Sequence, residues 1–335
     1  MKTKLSIIAA LFALILTGCA KENIEIEVEP KMVTVSVTMT SPEDDAATRV
    51  SLTPDSETSK SLILKWEETD KLMLCFEYDA HYYHVDAPIV PGSISANGKS
   101  ADFTFAIPTE IPSDATFNFY VVYQKTNGDG TDGGCFRPGT KIYDLEKNES
   151  TYITLNQPTS NNNPRPMLYF EKKNITNTEN PDIGTIKLIH AGWIAAIHFK
   201  NNSSDPIDLP AYIDLELPYN NWVFNGDWPE KATTSFDFSN RTFSSSTTQT
   251  RSDLWLSINE EGNPLYEQIL AAGASIVFYR WVASGTSIPG LYAEFEFPDG
   301  SGDITYPGIS AKSITYGKVY HIYTVWPDFA FSEPY

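Results

Sequence analysis

Two residues near the start of the chain have the type and setting for covalent chemistry. Cys19 closes Leu16-Thr17-Gly18-Cys19 behind the apolar run Leu5 to Leu16, a setting in which a thiol is an acylation point. Arg49 ends Ser41-Pro42-Glu43-Asp44-Asp45-Ala46-Ala47-Thr48, which has no apolar periodicity and should be an exposed loop. The Arg49-Val50 bond is thereby offered to an arginine-specific protease. Other chemistry is sparse. His81 and His84 flank Tyr82-Tyr83, His190 and His198 share an apolar region, and His321 lies near the end. None of them has a carboxylate at metal-ligand spacing. No Gly-x-Ser-x-Gly, phosphate-binding glycine loop or recognisable Cys-His pair occurs. Asp299-Gly300-Ser301-Gly302-Asp303 spaces its oxygens as a calcium loop does, but the closing twelfth position falls on Ser310. Asn127 to Gly133 likewise lacks a closing carboxylate. The sequence therefore points to no catalytic residue, no metal, no cofactor and no enzyme.

Lys2 and Lys4 before the apolar run make residues 1–18 a signal peptide too short for a comfortable membrane span. Leu16-Thr17-Gly18-Cys19 resembles the bacterial lipobox, whose cysteine becomes the acylated mature N-terminus. An ordinary secretory signal cut near Ala20 is the alternative. More than one acyl chain on Cys19 would anchor the protein stably. Loss of residues 1–18 takes the formal net charge from -19 to -21, which argues against nucleic acid and anionic lipid headgroups as partners. Cys75 and Cys135, the remaining cysteines, are too few for a disulfide framework, and a bridge between them stays undecided.

The elements that must carry these residues are strands. In Lys31 to Thr40, Val33, Val35, Val37 and Met39 alternate with Thr34, Ser36 and Thr38, the pattern of a half-buried strand. Short alternating runs follow at intervals of about 8 to 12 residues, separated by Pro, Gly and Asn. Among them are Lys71 to Tyr78, Ala101 to Phe105, Phe117 to Tyr123, Ile186 to Phe199, Ser275 to Trp281 and Ser313 to Val325. Aromatic content of 13% and the absence of helical periodicity fit an all-β chain of antiparallel sandwiches. Gln157 to Pro166 breaks the pattern, strand-like Met167 to Phe170 and the polar Lys172 to Asp182 follow, and a boundary there gives a tether at 19–30, one sandwich at 31–182 and a second at 183–335. Leu265 to Ala272 reads as a short helix or a wide loop. Asn221 to Pro229 brings Trp222 and Trp228 together with Asn and Asp, a set that could stack on a sugar, although tryptophan is more often buried.

The lipobox, Thr48-Arg49-Val50-Ser51-Leu52, Trp66-Glu67-Glu68-Thr69-Asp70-Lys71-Leu72, Phe119-Tyr120-Val121-Val122-Tyr123, the strand entered through His190, and Tyr316-Gly317-Lys318-Val319-Tyr320 occur in this order. Together they resemble the fimbrillin family, the subunits of lipoprotein-derived type V pili in certain Gram-negative anaerobes. Thr69 stands where that family usually has Gly. The resemblance implies two tandem transthyretin-like, Greek-key sandwiches and lipid anchoring through Cys19 in the outer membrane. It further implies cleavage at Arg49-Val50, loss of the strand bearing Val33, Val35, Val37 and Met39, and entry of a neighbouring subunit's strand. Partners would then be other pilus subunits, the membrane through the lipid only, and a host or bacterial surface glycan or protein. A sandwich missing one edge strand exposes unpaired backbone and an apolar slot, and strand addition satisfies both. Two alternatives remain open: a first strand that is never removed, and a glycan-binding lipoprotein of a polysaccharide-uptake system using Trp222 and Trp228.

Overall fold

The computed structural model describes residues 31–39, 43–44, 64–124, 134–145, 166–216, 234–245, 253–258, 266–283, 287–300, 309–327 and 330–331. Every regular element among them is a strand, and the chain is all-β with sheets packed in sandwich fashion. The first ten strands are β1 (Lys31–Met39), β2 (Glu43–Asp44), β3 (Lys71–Tyr78), β4 (His81–Pro88), β5 (Ser100–Ile107), β6 (Thr116–Tyr123), β7 (Cys135–Phe136), β8 (Ile142–Asp144), β9 (Leu168–Thr176) and β10 (Ile186–His190). Seven of them form one sheet in the order β4-β3-β6-β9-β10-β1-β5. A bridge between Ile89 and Phe103 ties the two ends of this sheet, so it wraps round its own core. Alternation drives the wrapping: β5 buries every second residue, Ala101, Phe103, Phe105 and Ile107. Phe76, Phe117, Phe119, Leu168, Ile186 and Leu188 complete that interior.

The remaining strands are β11 (Trp193–Asn201), β12 (Ile207–Asp208), β13 (Tyr212–Glu216), β14 (Thr234–Asp237), β15 (Thr242–Ser245), β16 (Asp253–Ser257), β17 (Ile269–Leu270), β18 (Ser275–Val282), β19 (Ser287–Glu296), β20 (Ile309–Ser313), β21 (Lys318–Trp326) and β22 (Ala330–Phe331). One sheet runs β18-β11-β21-β2 with β22 also on β21, and a second runs β16-β13-β19-β20. Between them lie Trp193, Ile197, Phe199, Ile213, Phe278, Phe295 and Ile322, the core of a C-terminal sandwich. The segment expected as a short helix or wide loop ends in β17, which pairs with β12.

The apolar run Ile186 to Phe199 is shared between the two bodies. Ile186–His190 is hydrogen-bonded to β9 and β1 in the N-terminal sheet, whereas Trp193–Asn201 is the middle of a C-terminal sheet. The turn between them requires Gly192, because a Cβ there would lie 2.4 Å from the Val282 carbonyl oxygen. The bodies share a third core, in which Ile194, Ala196, Tyr279 and Trp281 meet Met73, Cys75, Tyr120 and Tyr169. A small sheet, β15-β14-β8-β7, spans the same junction. Arg137 donates to Asp144 at 2.8 Å and to Ser235 at 3.1 Å, and Arg241 pairs with Glu171. Among the described residues three pairings are parallel, β1 with β10, β11 with β21 and β2 with β21, so the seven-stranded sheet and the sheet built on β11 and β21 are mixed, whereas β16-β13-β19-β20 is antiparallel throughout. Cys75, buried, and Cys135, exposed, are free thiols.

Candidate functional site

The alternating strand near the N-terminus is β1, and its surroundings define the candidate site. It is not an edge strand. On one side it pairs antiparallel with β5 over eight positions, from Lys31 opposite Ile107 to Thr38 opposite Ser100. On the other it pairs parallel with β10 at Val37, Thr38 and Met39. Val35, Val37 and Met39 are buried in the N-terminal core, and Val33 packs against it half-buried. Burial of such side chains is worth roughly 1.5–3 kcal/mol each, so the three fully buried ones hold about 5–9 kcal/mol. Removing β1 would open a slot between two strands, with unpaired backbone on both walls.

Ser41 to Thr48, read from sequence as exposed loop, contains β2. Glu43 and Asp44 pair parallel with Lys318 and Val319 at the margin of the C-terminal sandwich. The segment upstream of Arg49 therefore contributes a strand to each body. No apolar alternation announces β2; the one hint in the sequence is the opposite charge of Glu43 and Lys318. Cys19, Arg49, Val50, Trp222 and Trp228 lie outside the described residues, as does the Asn127 to Gly133 loop.

The other motifs resolve into structural devices. Trp66 is buried edge-on to Phe103 and Tyr123, with centroids at 4.9 and 4.7 Å. Behind it the Asp70 carboxylate accepts the Glu67 N–H at 2.8 Å, and the Glu67 carbonyl accepts the Asp70 N–H at 2.9 Å. This turn closes without a left-handed residue at Thr69, so glycine is not required there. Gly317 has φ 78° and donates its N–H to the Gly192 carbonyl at 2.7 Å. The His190 ring lies 3.4 Å from where a Gly317 Cβ would be, so two motifs far apart in sequence meet at the junction.

Among the described residues no group of three or more His, Cys, Asp or Glu side chains is arranged to hold a metal. His198 Nε2 and His321 Nδ1 lie 2.8 Å apart, and the His198 ring stacks on Tyr323. Burial first, and the neighbouring His321 second, push His198 down to about 3. Glu77, half-buried, gathers a second polar cluster. Burial raises it, but hydrogen bonds from Tyr120, Asn118 and Lys141 outweigh that and carry it down to about 2. Lys141 Nζ lies 3.1 Å from Glu77, which fixes the β7–β8 region to β3 and β6.

Neither a protein family nor a curated protein matches this sequence. Solved structures are similar at low identity. A candidate cell adhesion protein from Bacteroides ovatus is 13% identical, with a TM-score of 0.47, 90% of this chain covered and 94% of that one. The fimbrial anchor protein Mfa2 from Porphyromonas gingivalis is 12% identical at a TM-score of 0.38, covering 87% of this chain and 90% of that one. The tip fimbrial protein Mfa3 from the same organism, truncated at its C-terminus, is 10% identical at a TM-score of 0.31, with 87% and 95% covered.

Proposed function

We propose that this chain is a surface pilus or adhesion subunit, anchored in the outer membrane through a lipid on Cys19 and assembled by strand exchange. Cleavage after Arg49 detaches β1 and β2 together from the rest of the chain. A strand of another subunit then fills the slot between β5 and β10. The observation that carries this reading is the place of β1: it sits inside a sheet, and the chain segment that links it onward to the rest of the body contains Arg49. Strand addition there restores both backbone ladders and buries one apolar face. An accessory or tip position is favoured, because β22 folds back antiparallel on its own β21, with Thr324 opposite Phe331 and Val325 opposite Ala330. Its part is binding and assembly, not catalysis.

N-terminal sequencing and intact mass of the protein recovered from the cell surface, with and without an arginine-specific protease, test the reading. The expected products are a chain acylated at Cys19 before cleavage and one beginning at Val50 afterwards. A protein that keeps residues 31–49 in every assembled form contradicts it.

A further inference from the structure

Four inward residues of β1 are apolar, and any strand with the same alternation would satisfy the core. A shift of two residues along the slot would also keep apolar side chains inward. Shape therefore distinguishes poorly between occupants or between registers, and the outward face has to supply the difference. Along β5 the residues opposite the outward positions of β1 are Ala106 for Met32, Thr104 for Thr34, Asp102 for Ser36 and Ser100 for Thr38. Asp102 is the one charge in that row, and the Ser36 hydroxyl donates to its Oδ1. Thr38 and Ser100 hydroxyls lie 3.3 Å apart. On the opposite wall Lys187, exposed, stands beside Thr38 in the parallel ladder. A carboxylate thus borders one outward position of the slot and an ammonium group borders the next.

We propose that Asp102 and Lys187 select the strand that occupies this slot and fix its register. They favour a hydrogen-bond donor or cation in the place of Ser36 and an acceptor or anion in the place of Thr38. The partner is a strand of another subunit carrying that polar pair between alternating apolar residues, and to this extent the inference rests on the function proposed above. In a strand carrying that pair, a two-residue slip one way sets the anion opposite Asp102 and the other way sets the cation beside Lys187. Opposite charges across a strand pair are favourable and like charges are not. Each such exposed contact is small, and reversing both together gives about a tenfold preference at low ionic strength.

The test uses the full chain cut at Arg49-Val50 and two fluorescent peptides spanning residues 31–44. One carries Ser36→Lys with Thr38→Glu, the other Ser36→Glu with Thr38→Lys. Composition, apolar pattern and net charge are identical. The first should displace the resident fragment at about tenfold lower concentration, and the gap should narrow in about 0.5 M salt. Exchanging the wall charges by Asp102→Lys with Lys187→Glu should reverse the order. Equal displacement, or an order indifferent to the wall charges, overturns the proposal. The same substitution pairs in the uncut chain, compared by thermal unfolding, separate the two ideas. If neither peptide enters the cut protein but the uncut chain is more stable with the first pair, strand exchange fails and the selecting role of Asp102 and Lys187 on the chain's own strand stands. If the uncut chain shows no preference either, both fail.

Discussion

β1 and β11 occupy the same kind of place, each inside a sheet with an antiparallel neighbour on one side and a parallel neighbour on the other. They differ in how completely that place is used. Both antiparallel ladders run over eight positions, β1 with β5 and β11 with β18. The parallel ladder of β11 with β21 also covers eight positions, whereas that of β1 with β10 covers three. β11 is buried on both faces, feeding the C-terminal core with Trp193, Ile197 and Phe199 and the shared core with Ile194 and Ala196. β1 buries one face and leaves Met32, Thr34 and Ser36 outward and exposed. An interior position does not make a strand permanent. Permanence comes from two full ladders and two buried faces, and β1 has one of each.

The largest expected effect is at Phe199. Phe199→Ala leaves a cavity in a core that no other chain can repair and should cost about 3–5 kcal/mol, equally in uncut and cut protein, by denaturant unfolding. Met39→Ala in β1 should cost about 2–5 kcal/mol in the uncut chain. In protein from which the fragment has been displaced by a wild-type peptide, that cost should vanish. A cost that persists would put the two strands in one class. The pH response should also separate them. His198 in β11 is held down to about 3 in the folded chain, chiefly by burial, whereas an unfolded histidine takes its proton near pH 6.5. Stability is then full above about pH 6.5 and is lost towards pH 3 at about 1.4 kcal/mol per unit, or about 2 kcal/mol by pH 5. His198→Gln should flatten that loss in thermal unfolding scanned against pH. β1 contains no histidine, so its retention after cleavage should vary less than that between about pH 6.5 and pH 5, above the ordinary carboxylate range of Asp102, Glu43 and Asp44. Gly317→Ala, at a left-handed residue against the His190 ring, should cost about 1–2 kcal/mol at the junction.

The legible parts of the fold are those in which side chains mark the element. Val33, Val35, Val37 and Met39 announce β1, and the apolar residues of β5 announce its wall. Phe236 and Phe243, opposite each other in β14 and β15, lie in a Ser/Thr-rich stretch that suggests one strand and holds a hairpin. β2 escapes because backbone pairing leaves no periodicity behind. The interior position of β1 escapes as well. Its neighbour β10 lies some 150 residues away in the chain and is followed directly by apolar β11, with Ala191-Gly192 as the sole punctuation. The outward carboxylate at Asp102 looks like an ordinary solvated residue until the register places it against Ser36.

Hydrogen exchange on the full chain, before cleavage at Arg49-Val50 and after removal of the released fragment, tests the central claim most directly. If β1 is a replaceable occupant of a preformed slot, protection should fall in Ser100–Ile107 and Ile186–His190 and persist in Trp193–Asn201 and Ser275–Val282. Adding back a peptide of residues 31–44 should restore it. Loss of protection throughout the chain on removal of the fragment, or unchanged protection in β5 and β10, would contradict the account.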